Sequence, residues 1–465
     1  MFFTPRNIIY FAIAALLSGC VTVAQGQIEG TEVKEDKINL YCQLQPKPQP
    51  EIFSNPLSIS INIDGSGSML GYVNQDNSSY IQALELLDNT LGSINNRSQS
   101  TIKYYRSGDY QHQAKELTRS EFIKAKKPEF YNGSNAKLPA VSSDLSSLIT
   151  KPKNSDALSI IVTDLAQNDG DVNLIANKIR ENYFNNKDEN YAVGIWGVKS
   201  EFDGTVYSAT NANRKFSYST QGKSSKQYRP FYILFLGNYQ DIANSFDKLS
   251  KEQGSLSERS NFVIFSPNHL LADVSYLTEP DNISPDLFTP NQLHNGNVSV
   301  EKNNQPIELL KIKNNHTEVL DLKYEVPIKQ LNYTLAVDSN DLKLTVDASA
   351  FNKINKQEFK QVPTATKALN LSEWEIAENK LKFFTTINPD VISEANIYYF
   401  KVDVVAKDLQ KPNWWSEWNT NSGDDGGKTA NLSNFMNSLR NMTFNSMDEA
   451  TKTIGRFCYA VQKDQ

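Results

Sequence analysis

The stretch ALSIIVTD, Ala157 to Asp164, is β-branched and almost wholly apolar until its final aspartate. Such a run suits a strand buried on both faces, and buried strands of that kind belong to sheets covered by helices on either side. The neighbouring chain repeats the theme. SSYIQALELLDNTLGSI spaces Ile81, Leu84, Leu87 and Leu91 at helical intervals behind a serine cap. Residues 101–105 read as a strand, SSDLSSLI as a short helix capped by a serine, and DVNLIANKIRENYF as a helix. The strand YAVGIWGV follows, then an insertion, the strand RPFYILFLG, the helix DIANSFDKLSKE and the strand NFVIF. Strands alternating with helices predict an α/β fold, a doubly wound and mainly parallel sheet, over residues 51–268.

Beyond about residue 269 the pattern shortens. NVSVEKNN, VLDLKYEVPI, LNYTLAVD, LKLTVDAS, LKFFTTI and IYYFKVDVV are alternating strands separated by Asn, Asp and Pro. They predict a smaller β-rich, sandwich-like domain over 269–410. The remainder, 411–465, reads as a loop followed by helical pieces, NLSNFMNSLRNM and DEATKTIGRF.

The N-terminus carries Arg6 and then IIYFAIAALL, an apolar run too short to span a bilayer but suited to the core of a secretory signal. It ends in Leu17-Ser18-Gly19-Cys20, which resembles the bacterial lipobox. Residues 1–19 are therefore expected to be removed and Cys20 to carry lipid. Residues 20–50 then serve as a tether and first strand. The resemblance implies a lipid-anchored protein of the bacterial cell envelope, with Val21 after the cysteine directing it to the outer membrane. Cys42 and Cys458 remain, and an even pair in an oxidising compartment is a disulfide candidate. A net charge of −6 without a basic tract offers nothing to nucleic acid.

The chemistry concentrates in SISINIDGSGSML, where Asp64-x-Ser66-x-Ser68 follows an alternating strand. In open α/β sheets ligands bind beyond the carboxyl ends of strands. Asp64 and Asp164 both sit at such ends, and Ser143-Asp144 precedes the strand of Asp164 closely enough to add a hydroxyl. These residues resemble the metal-ion-dependent adhesion site of the von Willebrand factor A-type domain. Asp-x-Ser-x-Ser is met in full, Thr163-Asp164 matches the last aspartate with Leu165 in place of the usual glycine, and Ser143 stands for the intermediate threonine. The resemblance covers about residues 57–266. It implies Mg²⁺, with Mn²⁺ or Ca²⁺ as alternatives, held by Asp64, Ser66, Ser68, Ser143 and Asp164.

Neutral hydroxyls and few carboxylates would leave Mg²⁺, which prefers six oxygens, open to a carboxylate from outside. The expected function is binding of a protein or an acidic envelope ligand, without catalysis. Two alternatives stand beside it: a metal-dependent hydrolase acting on envelope material, and an A-type protein whose site is empty. Asp144, Asp169 and Asp171 read as helix caps or solvated loop residues. His112, His269, His294 and His316 lack zinc-ligand spacing. Gly426-Gly427-Lys428-Thr429 is not a phosphate loop, because Ser422 stands where glycine is needed, and SGDDGGK reads as mobile. Trp414, Trp415 and Trp418 read as a buried cluster.

Overall fold

The computed structural model describes residues 36–44, 56–91, 100–108, 114–165, 169–185, 189–208, 214–296, 298–314, 316–354, 358–392, 394–421 and 423–464. The signal and tether with Cys20, as well as His112 and Ser422, lie outside the described residues.

Strand β1, Asp36–Asn39, precedes the α/β unit. That unit runs β2 (Ser58–Asp64), α1 (Ser79–Leu91), β3 (Thr101–Ser107), β4 (Lys115–Leu117), β5 (Ala157–Thr163) and α2 (Asp169–Ile179). It continues through β6 (Tyr191–Ser200), the hairpin β7 (Asp203–Tyr207) and β8 (Lys215–Ser219), β9 (Arg229–Asn238), α3 (Tyr239–Glu252) and β10 (Ser260–Phe265). One seven-stranded sheet orders these as β10-β6-β9-β5-β2-β3-β4.

The sheet is mixed, which corrects the expectation of a mainly parallel one. Only β2 with β3 and β2 with β5 pair in parallel. The pairs β5–β9, β9–β6, β6–β10 and β3–β4 are antiparallel. The insertion between β6 and β9 is the reason. Among its described residues it holds the β7–β8 hairpin and no long helix, so the chain returns beside β6 in the opposite sense instead of crossing over a face of the sheet.

Helices lie on both faces. Ile59, Ile61 and Ile63 of β2 point to a core shared with Leu84 and Leu87 of α1 and Ile242 and Phe246 of α3. On the other face Ile161, Val193 and Ile195 pack with Val172, Ile175 and Ile179 of α2, and this core runs on into the β-rich part of the chain.

There, strands Ile307–Ile312, Leu342–Phe351, Asn396–Ala406 and Thr453–Lys463 share a second seven-stranded sheet, facing a four-stranded one that contains Leu320–Pro327, Leu369–Ala377 and Lys380–Ile387. The faces meet at Phe383 and Phe457, stacked with centroids 4.6 Å apart, and at the Thr385 and Tyr459 hydroxyls, 2.8 Å apart. This is sandwich packing.

Two local expectations fail here. LNYTLAVD makes only isolated bridges through Thr334 and Val337. The final segment is helical over Glu449–Lys452 alone and then becomes the strand Thr453–Lys463, where Ile454, Phe457, Tyr459 and Val461 are buried. β-branched and aromatic residues favour that state. Trp414, Trp415 and Trp418 are buried, and helix α4, Leu432–Ser446, packs beside α2.

β1 pairs in parallel with Val298–Glu301 of the β-rich part, and Cys42 is disulfide-bonded to Cys458. The N-terminal strand therefore belongs with the chain end, 416 residues away in sequence. Among the described residues no helix is long and apolar enough to cross a membrane.

Candidate functional site

β2 and β5 are adjacent and parallel, in register as Ile63 with Val162, so Asp64 and Asp164 emerge at the same rim of the sheet. Asp64 and Asp164 are 2% and 1% exposed. Burial first, and then the neighbouring charge of Asp164, push the Asp64 carboxyl above its ordinary value. Hydrogen bonds act in the opposite direction. Asp64 Oδ1 accepts from the Ser66 backbone N–H at 3.0 Å. Asp64 Oδ2 accepts from Ser143 Oγ at 2.9 Å and from Thr163 Oγ1 at 3.0 Å. Ser66 Oγ lies 3.1 Å from Ser68 Oγ. The rim thus brings all five expected residues to one place from three separate segments.

The sequence makes these positions possible through three local devices. Gly65 lets the loop pass close to β3: a Cβ there would meet Arg106 Nε at 2.7 Å and the Ser107 carbonyl oxygen at 2.8 Å. Arg106 then ties the loop down, donating to the carbonyls of Gly65 at 3.1 Å, Phe130 at 3.1 Å and Pro139 at 2.8 Å. The short turn after Ser143 is a 3₁₀ helix, Leu145–Leu148, and its cap is Asp144, which accepts from the Ser147 N–H. Asp144, rather than a serine, performs the capping, and Ser143 reaches back to Asp64. Leu165 adopts φ +50°, the left-handed region that favours glycine, and its N–H donates to Thr163 Oγ1 at 3.2 Å.

Arg229 is a buried rim residue that the motif does not contain. It opens β9, and its guanidinium donates to Asp164 Oδ2 at 3.2 Å, with both side chains 2% exposed. It also donates to the carbonyls of Gly426 at 3.1 Å and Lys428 at 3.4 Å, and its Nε is buried without a partner. The glycine-rich segment read as mobile is therefore packed against the rim: Gly426 and Gly427 are buried, and Thr429 Oγ1 is 3.1 Å from the Tyr232 hydroxyl. An available signal was the lone cation heading the apolar run RPFYILFLG. A charge at the edge of a strand buried on both faces requires a partner.

The donor set can be tested against the expected ion. Oxygens on adjacent corners of an octahedron around Mg²⁺, each about 2.1 Å from it, lie about 3.0 Å apart. The Ser66–Ser68 and Ser143–Asp64 oxygen separations of 3.1 and 2.9 Å fit that edge, and they fit hydrogen bonds equally well. Charge separates the cases more sharply. Two buried carboxylates face one directly paired guanidinium among the described residues, and a cation would favour ionisation of the Asp64 carboxyl that burial and Asp164 oppose. The residues fit the ion, with Asp64 and the serines as the donors and Asp164 committed to Arg229. Ser68 and Ser143 are only half-buried and open this donor set to the surface.

No three residues among His, Cys, Asp and Glu converge as a metal cluster among the described residues, so any ion here depends on hydroxyl donors. His269, His294 and His316 belong to no such cluster. No protein-family model matches the chain, and no curated protein is detectably similar to it.

Proposed function

We propose that this chain is an envelope-anchored lipoprotein of the von Willebrand factor A type that captures a protein or an acidic envelope ligand through a divalent cation at the rim of its α/β sheet. One observation carries the reading: Asp64, Ser66, Ser68 and Ser143 assemble a hydroxyl-rich donor set beyond the strand ends, next to a second buried aspartate. Oxygen donors of this kind suit Mg²⁺, with Mn²⁺ or Ca²⁺ as alternatives. Bound there, it would supply an open coordination position for a partner's carboxylate. The chain's own residues do the rest. Asp64 provides the charge, the serines provide neutral oxygens, and Arg106 and Gly65 fix the loop that presents them. An ion held by hydroxyl and carboxylate oxygens, with a position open to a partner's acid, suits binding. Lipid on Cys20 places the protein at the outer membrane.

A second reading, an A-type fold with a purely structural rim, is favoured by the Arg229–Asp164 pair, because the guanidinium already neutralises one of the two acids. Calorimetric titration of Mg²⁺ into the full-length mature protein distinguishes them. The binder takes up one ion in wild type and none in Asp64→Ala. Absence of uptake in a folded wild type, or equal uptake in both proteins, overturns the binding reading.

A further inference from the structure

The face of the sheet that carries α2 is only partly covered. On β2 the residues pointing to that face are Ser58, Ser60 and Asn62, alternating with isoleucines that fill the opposite core. A strand with one polar face leaves that face to solvent or to a ligand. A cavity of about 500 Å³ lies there, away from the rim, around the first half of β2 and its neighbours β3 and β5. That size falls within the range of small-molecule sites, about 300–1,000 Å³.

Its lining has a consistent chemistry. Ser58, Ser60, Ser159 and Tyr105 contribute hydroxyls, and the Asn62 amide lies at the floor, where it donates to the Ile160 carbonyl at 3.2 Å. Lys103, Lys151 and Lys153 line the walls, while no Asp or Glu does so among the described residues. This is unexpected in a chain of net charge −6. Lys103 shares its charge with Glu116 at 3.6 Å. Lys151 and Lys153 are exposed and make no ion pair among the described residues.

We propose that this groove is a second binding site, for an anionic sugar: a hydroxylated ring bearing a carboxylate or a phosphate. The hydroxyls and the amide suit the ring's alternating donors and acceptors, and the Tyr105 ring suits its C–H face. Lysine ammoniums are compact charges with rotatable donors, so either anion is accepted. The site is independent of the rim cation.

The test titrates glucuronate, glucose 6-phosphate, glucose and inorganic phosphate into the full-length mature protein, followed by ligand-observed NMR in the presence of EDTA. The two anionic sugars bind, and glucose binds at least ten-fold more weakly. Lys151→Glu/Lys153→Glu, with unchanged circular dichroism, loses at least ten-fold in affinity for both. Lys411→Glu, a charge change elsewhere, binds as wild type does. The proposal is overturned by glucose binding as well as the charged sugars, by inorganic phosphate binding as well as glucose 6-phosphate, by no binding at all, or by affinity unchanged in the double variant. The EDTA arm keeps this outcome separate from the fate of the rim site.

Discussion

Arg229 and Asp164 form a buried ion pair at 3.2 Å that joins β9 to the end of β5, and through Gly426 and Lys428 it also holds the C-terminal loop against the rim. Removing one partner of such a pair leaves an uncompensated buried charge, at a cost of about 3–5 kcal/mol. Arg229→Met is expected to lower the urea midpoint accordingly, and Arg229→Met/Asp164→Asn to recover most of the loss. A double variant no more stable than Arg229→Met would show that the pair is not the unit that matters.

Ser66→Asp separates ion binding from partner capture. If the rim holds Mg²⁺ as proposed, the added carboxylate should retain or tighten the ion while satisfying part of its demand for acid, so calorimetric affinity should hold and capture of a carboxylate-bearing partner should fall. Capture that rises together with Mg²⁺ affinity would contradict the proposed role of the neutral serines.

Leu165 stands at φ +50° with its side chain buried. Replacing it by Ala or by Gly removes the same packing, but only glycine relieves the left-handed backbone, which costs other residues about 1–2 kcal/mol. Leu165→Gly should therefore be the more stable of the two by about 1 kcal/mol in thermal or urea unfolding. The opposite order would mean that the local backbone relaxes.

Glu308 is buried beside Tyr459, and burial pushes its carboxyl above its ordinary value of 4.5 against the partial opposition of Lys302, 3.6 Å away. Between the ordinary and the raised value the folded chain holds more protons than the unfolded one, so this group's contribution to stability falls as pH rises. Urea midpoints from about pH 4 to 8 should decline for wild type relative to Glu308→Gln across that window. Parallel profiles would remove Glu308 as the cause.

Lipidation at Cys20 is tested with labelled palmitate. Wild type should take up label and fractionate with the outer membrane, and Cys20→Ala should do neither. Equal labelling of both proteins would defeat the anchor.

Much of this was legible along the chain, and the losses have physical causes. The strand ends of Asp64 and Asp164 and the helices α1 to α3 follow from local periodicity. Strand direction does not, because it depended on whether the insertion after β6 formed a helix or a hairpin. The alternation of Ser58, Ser60 and Asn62 with three isoleucines already stated that β2 has one polar face, at odds with a sheet wholly covered by helices. Ser143 could be placed because the three segments share a rim. Arg229 escaped because its partners, Asp164 and the Gly426–Lys428 backbone, are remote in sequence, and ion pairing across such separations leaves no periodic trace. The end of the chain misled for a related reason: Thr453–Lys463 has strand propensity, but its neighbours in the sheet come from far upstream.

The Cys42–Cys458 bond turns nearly the whole folded chain into a covalent ring. A protease that cuts anywhere between those two cysteines produces two polypeptides and yet releases neither, since one carries Cys42 and the other Cys458. Nicked protein would keep its mass under non-reducing conditions and separate only when reduced. The segment on the N-terminal side of Cys42 would stay joined to both pieces, rim site included.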